Sequence, residues 1–177
     1  DESIEFLTAT EMAGRIRDRT LSATEVVRCH LSRIEHLNPA INAVVAINKE
    51  AEAEAMRADQ ALLDGAEVGP LHGVPITVKD CIDVAGLPST RGSKIFANYI
   101  PETDATVVSR LKKAGAIVLG KTNAAEFGLW WETDNLVYGR TVNPWNPARI
   151  TGGSSGGDAA AVAAGLTAIG LGSDLAG

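Results

Sequence analysis

The stretch GVPITVKDCI, residues 73–82, is rich in β-branched residues and predicts a buried β-strand that contains Lys79. A helix is predicted over about 104–114, where Gly115 is placed to end it before the apolar run AIVL at 116–119. Strands that alternate with helices favour a sheet covered by helices on both faces. The predicted fold class is therefore α/β.

The chain before this strand is predicted to be mainly helical. TATE at 8–11 and SATE at 22–25 match the capping box, in which a hydroxyl and a carboxylate bind each other's backbone N–H groups. They predict a helical segment at about 8–37, which Asn38-Pro39 is expected to end. The next predicted elements are a strand over 43–47 and a helix over 49–63.

Composition and charge exclude several classes of protein. The 177 residues are 45% hydrophobic and 21% charged, a balance typical of a globular chain. A net charge of -6 argues against nucleic acid as a partner, because phosphate binding needs a basic face. No run reaches the roughly 18 apolar residues of a membrane span, and residues 1–3 show no signal-peptide pattern. The cytoplasm is the expected location.

Cysteine and histidine usage predicts neither a disulfide framework nor a zinc site. Cys29 and Cys81 are too few for the former, and His30, His36 and His72 lack the spacing of zinc ligands. His30 and His36 are expected on one amphipathic helix as solvated or half-buried residues.

Two motifs resemble sites that their surroundings do not support. GAIVLGKT at 115–122 fits the P-loop expression, but its middle favours a buried strand over a loop around phosphate. GSSGG at 153–157 fits the nucleophile elbow of α/β-hydrolases, which needs a preceding strand and a later histidine. Residues 147–151 predict only a weak strand and all three histidines lie upstream. An esterase that uses Ser155 stays open as an alternative.

Lys79 and the Gly/Ser run carry the remaining chemistry. Lys79 has mostly apolar neighbours, so it either pairs with Asp80 or has its pKa lowered by burial and acts as a base. The run at 152–157 is either a flexible turn or a functional loop. A helix of small residues follows it, with Asp158 in the first turn, where the helix dipole favours an anion.

Taken together, these motifs resemble the amidase-signature family in residues and in order. The matching stretches are GVPITVKD at 73–80, GKTN at 120–123 with Glu126-Phe127, NPWNP at 143–147, GGSSGG at 152–157 and GSD at 172–174. The resemblance implies a large mixed β-sheet flanked by helices. It also implies that residues 1–177 are the N-terminal portion of a single amidase domain.

The resemblance further implies amide hydrolysis by acyl transfer to a serine and then to water, with no metal or organic cofactor. Lys79 would be the base, and Ser154, after a cis peptide bond, would relay a proton to a nucleophilic serine. That nucleophile falls on the position after Gly177, so residues 1–177 alone lack it. The residues implied as oxyanion hole or site support are Ser155, Asp174, Leu175, Ala176 and Gly177. Asp158 stands where the family often has a small polar residue, and Leu175-Ala176-Gly177 replaces a pattern with two adjacent glycines.

The implied partners are a small-molecule amide and the C-terminal part of the same enzyme, with neither nucleic acid nor a membrane span; a homo-oligomer is left open. The alternative is an ammonia-producing, glutaminase-type subunit of a tRNA-dependent amidotransferase, which shares these motifs. Here GLWW at 128–131 follows Glu126-Phe127, where such subunits usually have a Met/Gly/Ser-rich run. This difference favours a stand-alone amidase.

Overall fold

The computed structural model describes residues 3–174. Its α-helices are α1 (Ala9–Arg17), α2 (Ala23–Ile41), α3 (Ala51–Leu63), α4 (Thr106–Lys113) and α5 (Gly156–Ala163). Its strands are β1 (Val44–Ile47), β2 (Pro75–Lys79), β3 (Ile117–Thr122) and β4 (Ile169–Leu171). Short 3-10 helices cover Ile4–Phe6, Lys94–Phe96 and Glu126–Gly128. No helix within residues 3–174 is long and apolar enough to cross a membrane.

The strands form one mixed sheet in the order β1-β3-β2-β4. β1 is antiparallel to β3, whereas β2 is parallel to both β3 and β4. All residues of the two central strands are buried, as expected for strands covered on both faces. The predicted α/β class with a mixed sheet is confirmed.

Each face of the sheet has its own apolar core. On one face, Ile76 and Val78 of β2 pack with Val108 of α4. On the other, Ile117 and Leu119 of β3 belong to a larger cluster that includes residues of α1, α2, α3 and α5. Burying such a side chain stabilises the fold by about 1.5–3 kcal/mol, so these cores hold the sheet between helical layers.

The N-terminal helices begin at the two predicted capping boxes. Both capping boxes are present, at Thr8 with Glu11 and at Ser22 with Glu25. The expected segment at about 8–37 is two helices, because the chain turns between α1 and α2 through Arg19 in the left-handed region (φ 58°).

The prediction that α2 ends at Asn38-Pro39 was wrong. Pro39 lies inside the last turn, and the helix continues to Ile41 before Asn42 adopts a left-handed conformation (φ 55°). The side chain of Asn38 supports this ending, since its Oδ1 accepts hydrogen bonds from the N–H groups of Ala43 and Val44 at 2.9 and 2.8 Å. This side-chain cap thus helps to offset the local cost of the proline.

His30 corrects a second expectation. It lies on α2 with His36 but is fully buried, with Nδ1 3.2 Å from the carbonyl oxygen of Gly165. Burial lowers the pKa of His30, which keeps the ring neutral in its apolar surroundings. Cys29 and Cys81 are both free thiols.

Candidate active site

Lys79 is the last residue of β2, and its side chain is fully buried. Its Nζ lies 2.6 Å from Ser154 Oγ, 3.0 Å from Ser173 Oγ and 3.4 Å from Ser173 O. Burial lowers the pKa of Lys79, although nearby negative charges oppose the shift. A lysine in this environment gives up its proton more readily than one in water.

The nearby loop carries Ser154 and is fixed at several points. The Gly153–Ser154 peptide bond is cis, as the family resemblance implied. The carbonyl oxygen of Ser154 accepts a hydrogen bond from the N–H of Ala125 at 3.2 Å, and the N–H of Gly156 donates to Thr133 Oγ1 at 2.8 Å. These bonds place the Ser154 hydroxyl at the end of β2.

Close packing behind this loop requires glycine at the start of α5. A β-carbon on Gly157 would lie 2.3 Å from the carbonyl oxygen of Asn123, a distance that backbone atoms cannot accommodate. The glycine therefore lets α5 begin directly against the end of β3.

Ser155 is held by the chain that leaves β4. Its Oγ donates a hydrogen bond to Ser173 O at 3.0 Å and accepts one from Ser173 N at 3.1 Å. The two bonds tie the serine loop to residue 173. Ser155 thus has a structural connection, whereas Ser154 is the loop serine in contact with the Lys79 amine.

The prediction of a weak strand over 147–151 was wrong, because this segment is a loop. The strand that a nucleophile elbow needs before Ser155 is therefore absent. Asn143 turns this segment into a loop: its Oδ1 accepts from the N–H of Trp145 at 2.9 Å, and its Nδ2 donates to Ile150 O at 2.9 Å. Asparagine side chains that bind nearby backbone compete with strand formation in this way.

Ser173 was missed as a site residue by sequence reasoning. It contacts Lys79 through its side chain and Ser155 through its backbone, and so connects the two. The motif GSD at 172–174 marked the region as part of the family pattern. What the motif did not reveal is that β4 ends beside Lys79, which depends on the parallel pairing of β4 with β2.

Of the other residues singled out from the sequence, the structure describes Asp174 and Asp158. Asp174 is exposed and lines a cleft together with Ser154. Leu175, Ala176 and Gly177 lie outside the described residues. Asp158, singled out as a departure from the family, is buried in the first turn of α5, and its Oδ1 accepts a hydrogen bond from Thr122 Oγ1 at 2.7 Å. Burial raises the pKa of Asp158 to about 6.

The cleft beside Ser154 has an aromatic wall. It has a volume of about 200 Å³, and the segment after the 3-10 helix at Glu126–Gly128 contributes Leu129, Trp130 and Trp131. The two indole rings are stacked with centroids 4.2 Å apart, and both are largely exposed. This wall packs closely against the serine loop, since a β-carbon on Gly153 would lie 2.6 Å from Trp130 O.

The P-loop-like motif at 115–122 forms strand β3 instead of a phosphate loop. Lys121 is fully buried, and its Nζ donates to Ser89 Oγ at 2.7 Å and to Asp80 O at 3.1 Å. Burial lowers the pKa of Lys121 to about 8. Among residues 3–174, no three His, Cys, Asp or Glu side chains are grouped so that they could hold a metal ion.

The family model described as Amidase matches residues 25–177. The chain belongs to the amidase family. The family resemblance of the sequence motifs is thereby confirmed.

Two relatives and one solved structure illustrate the similarity. The chain is 46% identical over 171 residues to a glutamyl-tRNA(Gln) amidotransferase subunit of Acidothermus cellulolyticus, covering 96% of this chain and 34% of that protein. It is 48% identical over 170 residues to indoleacetamide hydrolase of Bradyrhizobium diazoefficiens, covering 96% and 32%. The native peptide amidase of Stenotrophomonas maltophilia superposes with a TM-score of 0.87 at 35% identity, covering 92% of this chain and 35% of that one. The chain thus spans about a third of the length of these relatives.

Proposed function

We propose that the amidase to which these residues belong hydrolyses amide bonds by acyl transfer to a serine and then to water. The observation that supports this is the 2.6 Å contact between Lys79 Nζ and Ser154 Oγ at a buried strand end. A lysine base must be neutral to accept a proton, and burial lowers the pKa of this one. Residues 1–177 are proposed to be the N-terminal portion of a single amidase domain.

In the proposed reaction, neutral Lys79 accepts the proton of the Ser154 hydroxyl. Ser154 in turn takes the proton of the nucleophilic serine, which the family pattern places after Gly177. The nucleophile attacks the amide carbonyl, and the leaving amine receives a proton along the same path. Water then attacks the acyl-serine with Lys79 again acting as base, and the acid is released.

The supporting roles follow the family pattern. The backbone N–H groups at Leu175, Ala176 and Gly177 are proposed to stabilise the negative oxygen of the tetrahedral intermediate. Ser155 is proposed to keep the serine loop in position through its two bonds to Ser173. Asp174 is proposed to support the rim of the cleft.

The lining of the cleft supports a substrate with an apolar or aromatic group near its amide. Leu129, Trp130 and Trp131 offer apolar surface next to Ser154, and exposed indoles bind flat rings well. The relative from Bradyrhizobium diazoefficiens is named for an arylacetamide, indoleacetamide. Arylacetamides are therefore the first substrates to test.

A second candidate function is to produce ammonia as one subunit of an amidotransferase. It is favoured by the 46% identity to the glutamyl-tRNA(Gln) amidotransferase subunit of Acidothermus cellulolyticus. GLWW at 128–131 argues for the stand-alone amidase, because two indoles stand where such subunits usually have a Met/Gly/Ser-rich run. The esterase with Ser155 as nucleophile has less support, since a loop and not a strand precedes Ser155.

The test is ammonia release by the full-length protein from acetamide, hexanamide, phenylacetamide, indole-3-acetamide and glutamine. Turnover of arylacetamides by the protein alone supports the amidase. Glutamine as the sole substrate supports the role in an amidotransferase. Absence of turnover for all five, with the protein folded, contradicts the proposed function.

A further inference from the structure

Asp158 is a buried carboxylate for which the proposed reaction has no role. Its residue is 5% exposed, and Oδ1 accepts the 2.7 Å hydrogen bond from Thr122 Oγ1. Oδ2 is also buried and, within residues 3–174, has no hydrogen-bond partner. A buried carboxylate with an unsatisfied oxygen is costly unless a positive charge lies nearby or the group becomes protonated.

Strand register places Thr122, the residue that binds this carboxylate, beside Lys79. Thr122, which binds Oδ1, is the partner of Lys79 in the parallel pairing of β2 with β3. Neighbouring strands are about 4.8 Å apart, and paired residues of parallel strands share a face of the sheet. Asp158 is thus bound to the residue adjacent to Lys79 on the same face.

Two glycines at the end of the sheet show where the carboxylate lies, and Gly170 leaves room for its side chain. A β-carbon on Gly170 would lie 2.9 Å from Asp158 Cβ, and one on Gly172 would lie 3.8 Å from Asp158 Oδ2. The same β-carbon on Gly172 would lie 2.9 Å from Ser155 Oγ. Oδ2 is therefore on the side of the serine loop, where Gly172 contributes no side chain.

Charged groups from several elements of the described chain act on this pair. The charges of Lys79 and Lys121 lower the pKa of Asp158, against the larger opposing effect of burial. Around Lys79, Cys81 and the carboxylates of Asp158 and Asp174 oppose the effect of burial on the pKa of the amine. The amine of Lys121 binds Ser89 Oγ and the carbonyl oxygens of Asp80 and Pro88, so it belongs to the α4 side of the sheet. Lys79 is thus the lysine on the face where Asp158 lies.

We propose that Asp158 is a positioning residue that controls the protonation of the Lys79 amine. The ionised carboxylate stabilises the ammonium form and opposes its use as a base, whereas the neutral acid does not. The two groups titrate as a coupled pair, so the apparent pKa seen in the pH profile of the reaction is a property of both groups. This inference rests on the proposed role of Lys79 in amide hydrolysis.

Asp158→Asn in the full-length enzyme tests the inference through the pH dependence of kcat/KM for phenylacetamide. Removing the negative charge lowers the pKa of Lys79, so the acid limb should move to lower pH by about 0.5 unit or more. Thr122→Val keeps the carboxylate but removes the hydrogen bond that favours its ionised form. The acid limb of Thr122→Val should therefore also move to lower pH, by a smaller amount. If Asp158→Asn does not fold, the result for Thr122→Val tests the inference.

Thr77→Val is the matched control, because Thr77 is a buried threonine of β2 whose Oγ1 has no partner among the described residues. Its acid limb should coincide with that of the unaltered enzyme. An acid limb that stays in place, or moves to higher pH, in folded Asp158→Asn would overturn the inference. So would an unchanged limb in Thr122→Val if Asp158→Asn does not fold.

A reciprocal measurement separates this inference from the proposed function. In the full-length protein labelled with carboxyl-13C aspartate, the resonance that Asp158→Asn removes should titrate near pH 6. Lys79→Met should raise that midpoint by about 0.5 unit or more, because coupling between two sites is mutual. An unchanged midpoint overturns the inference even when amide hydrolysis is intact. Retained turnover in Lys79→Met contradicts the proposed function instead.

Discussion

Lys79 and Lys121 are both fully buried on neighbouring strands, yet their amines bind on opposite faces of the sheet. In the pairing of β2 with β3, Lys121 lies beside Val78 and Thr122 lies beside Lys79. Successive residues of a strand point to opposite faces, so Lys121 and Lys79 do as well. The Lys79 amine contacts hydroxyls of the serine loop and of Ser173, whereas the Lys121 amine binds the loop that follows β2. The proposed reaction uses the Lys79 amine for proton transfer, whereas the Lys121 amine holds a neighbouring loop.

Lys79→Ala in the full-length enzyme should lower kcat/KM for a turned-over amide by about 100-fold or more, the scale of a lost general base. Lys113→Ala is the control, since Lys113 is an exposed residue of α4 and its loss should leave turnover unchanged. Steady-state ammonia release and circular dichroism check both variants. A loss smaller than about threefold in correctly folded Lys79→Ala would contradict the role of the base.

Ser154→Ala and Ser155→Ala should differ in severity. Loss of the Ser154 hydroxyl interrupts the contact with Lys79 and should cost about 100-fold or more in kcat. Loss of the Ser155 hydroxyl removes two hydrogen bonds to Ser173 and should cost about 10-fold. Steady-state ammonia release measures both.

Covalent labelling tests whether the nucleophile is Ser154, Ser155 or a serine beyond Gly177. A fluorophosphonate probe, located by peptide mass spectrometry, should label a serine beyond Gly177 in the unaltered enzyme and, more slowly, in both variants. Label on Ser155 would favour the esterase alternative and overturn the assignment of Lys79 and Ser154.

Trp130→Ala should raise KM for phenylacetamide by about 10-fold and leave KM for acetamide nearly unchanged, because only the larger substrate reaches the aromatic wall. Trp145→Ala is a matched control: this tryptophan is 84% exposed and lines a separate groove of about 370 Å³ beside α2. Equal changes in KM for both substrates in Trp130→Ala would show that the wall does not select the substrate.

Stability should rise with pH above about 8 because of Lys121. Burial lowers its pKa to about 8, whereas an unfolded lysine titrates near 10.4. Between these values the unfolded chain binds more protons than the folded one, so the free energy of unfolding increases with pH. From pH 8 to 10 the increase should be about 1–2 kcal/mol.

Urea unfolding of the full-length protein at pH 8, 9 and 10 measures this change. Lys121→Met has no titrating group at that position. Its free energy of unfolding should therefore rise by about 1–2 kcal/mol less than that of the unaltered protein between pH 8 and 10. A parallel pH dependence in the two proteins would mean that Lys121 keeps an ordinary pKa in the folded state.

The sequence alone determined the α/β class, both capping boxes and the family. It also singled out Lys79 and Ser154, whose side chains lie 2.6 Å apart in the structure, because the family motifs around them are local and occur in a fixed order. The extent of α2 could not be predicted in the same way. Pro39 opposes a helix locally, but the Asn38 side chain and the packing of Ile41 let the helix continue for two residues past the proline.

The tertiary structure alone decided which residues of β3 and β4 meet Lys79. Simple alternation would place Lys121 on the same face as Leu119, but the register shifts where β3 passes from Val118 to Gly120. The extra residue puts Thr122 beside Lys79 and, through Thr122, brings Asp158 to the site. Ser173 arrives by the parallel pairing of β4 with β2. Strand register depends on contacts between segments far apart in the chain, and a shift of one residue exchanges the two faces of a strand.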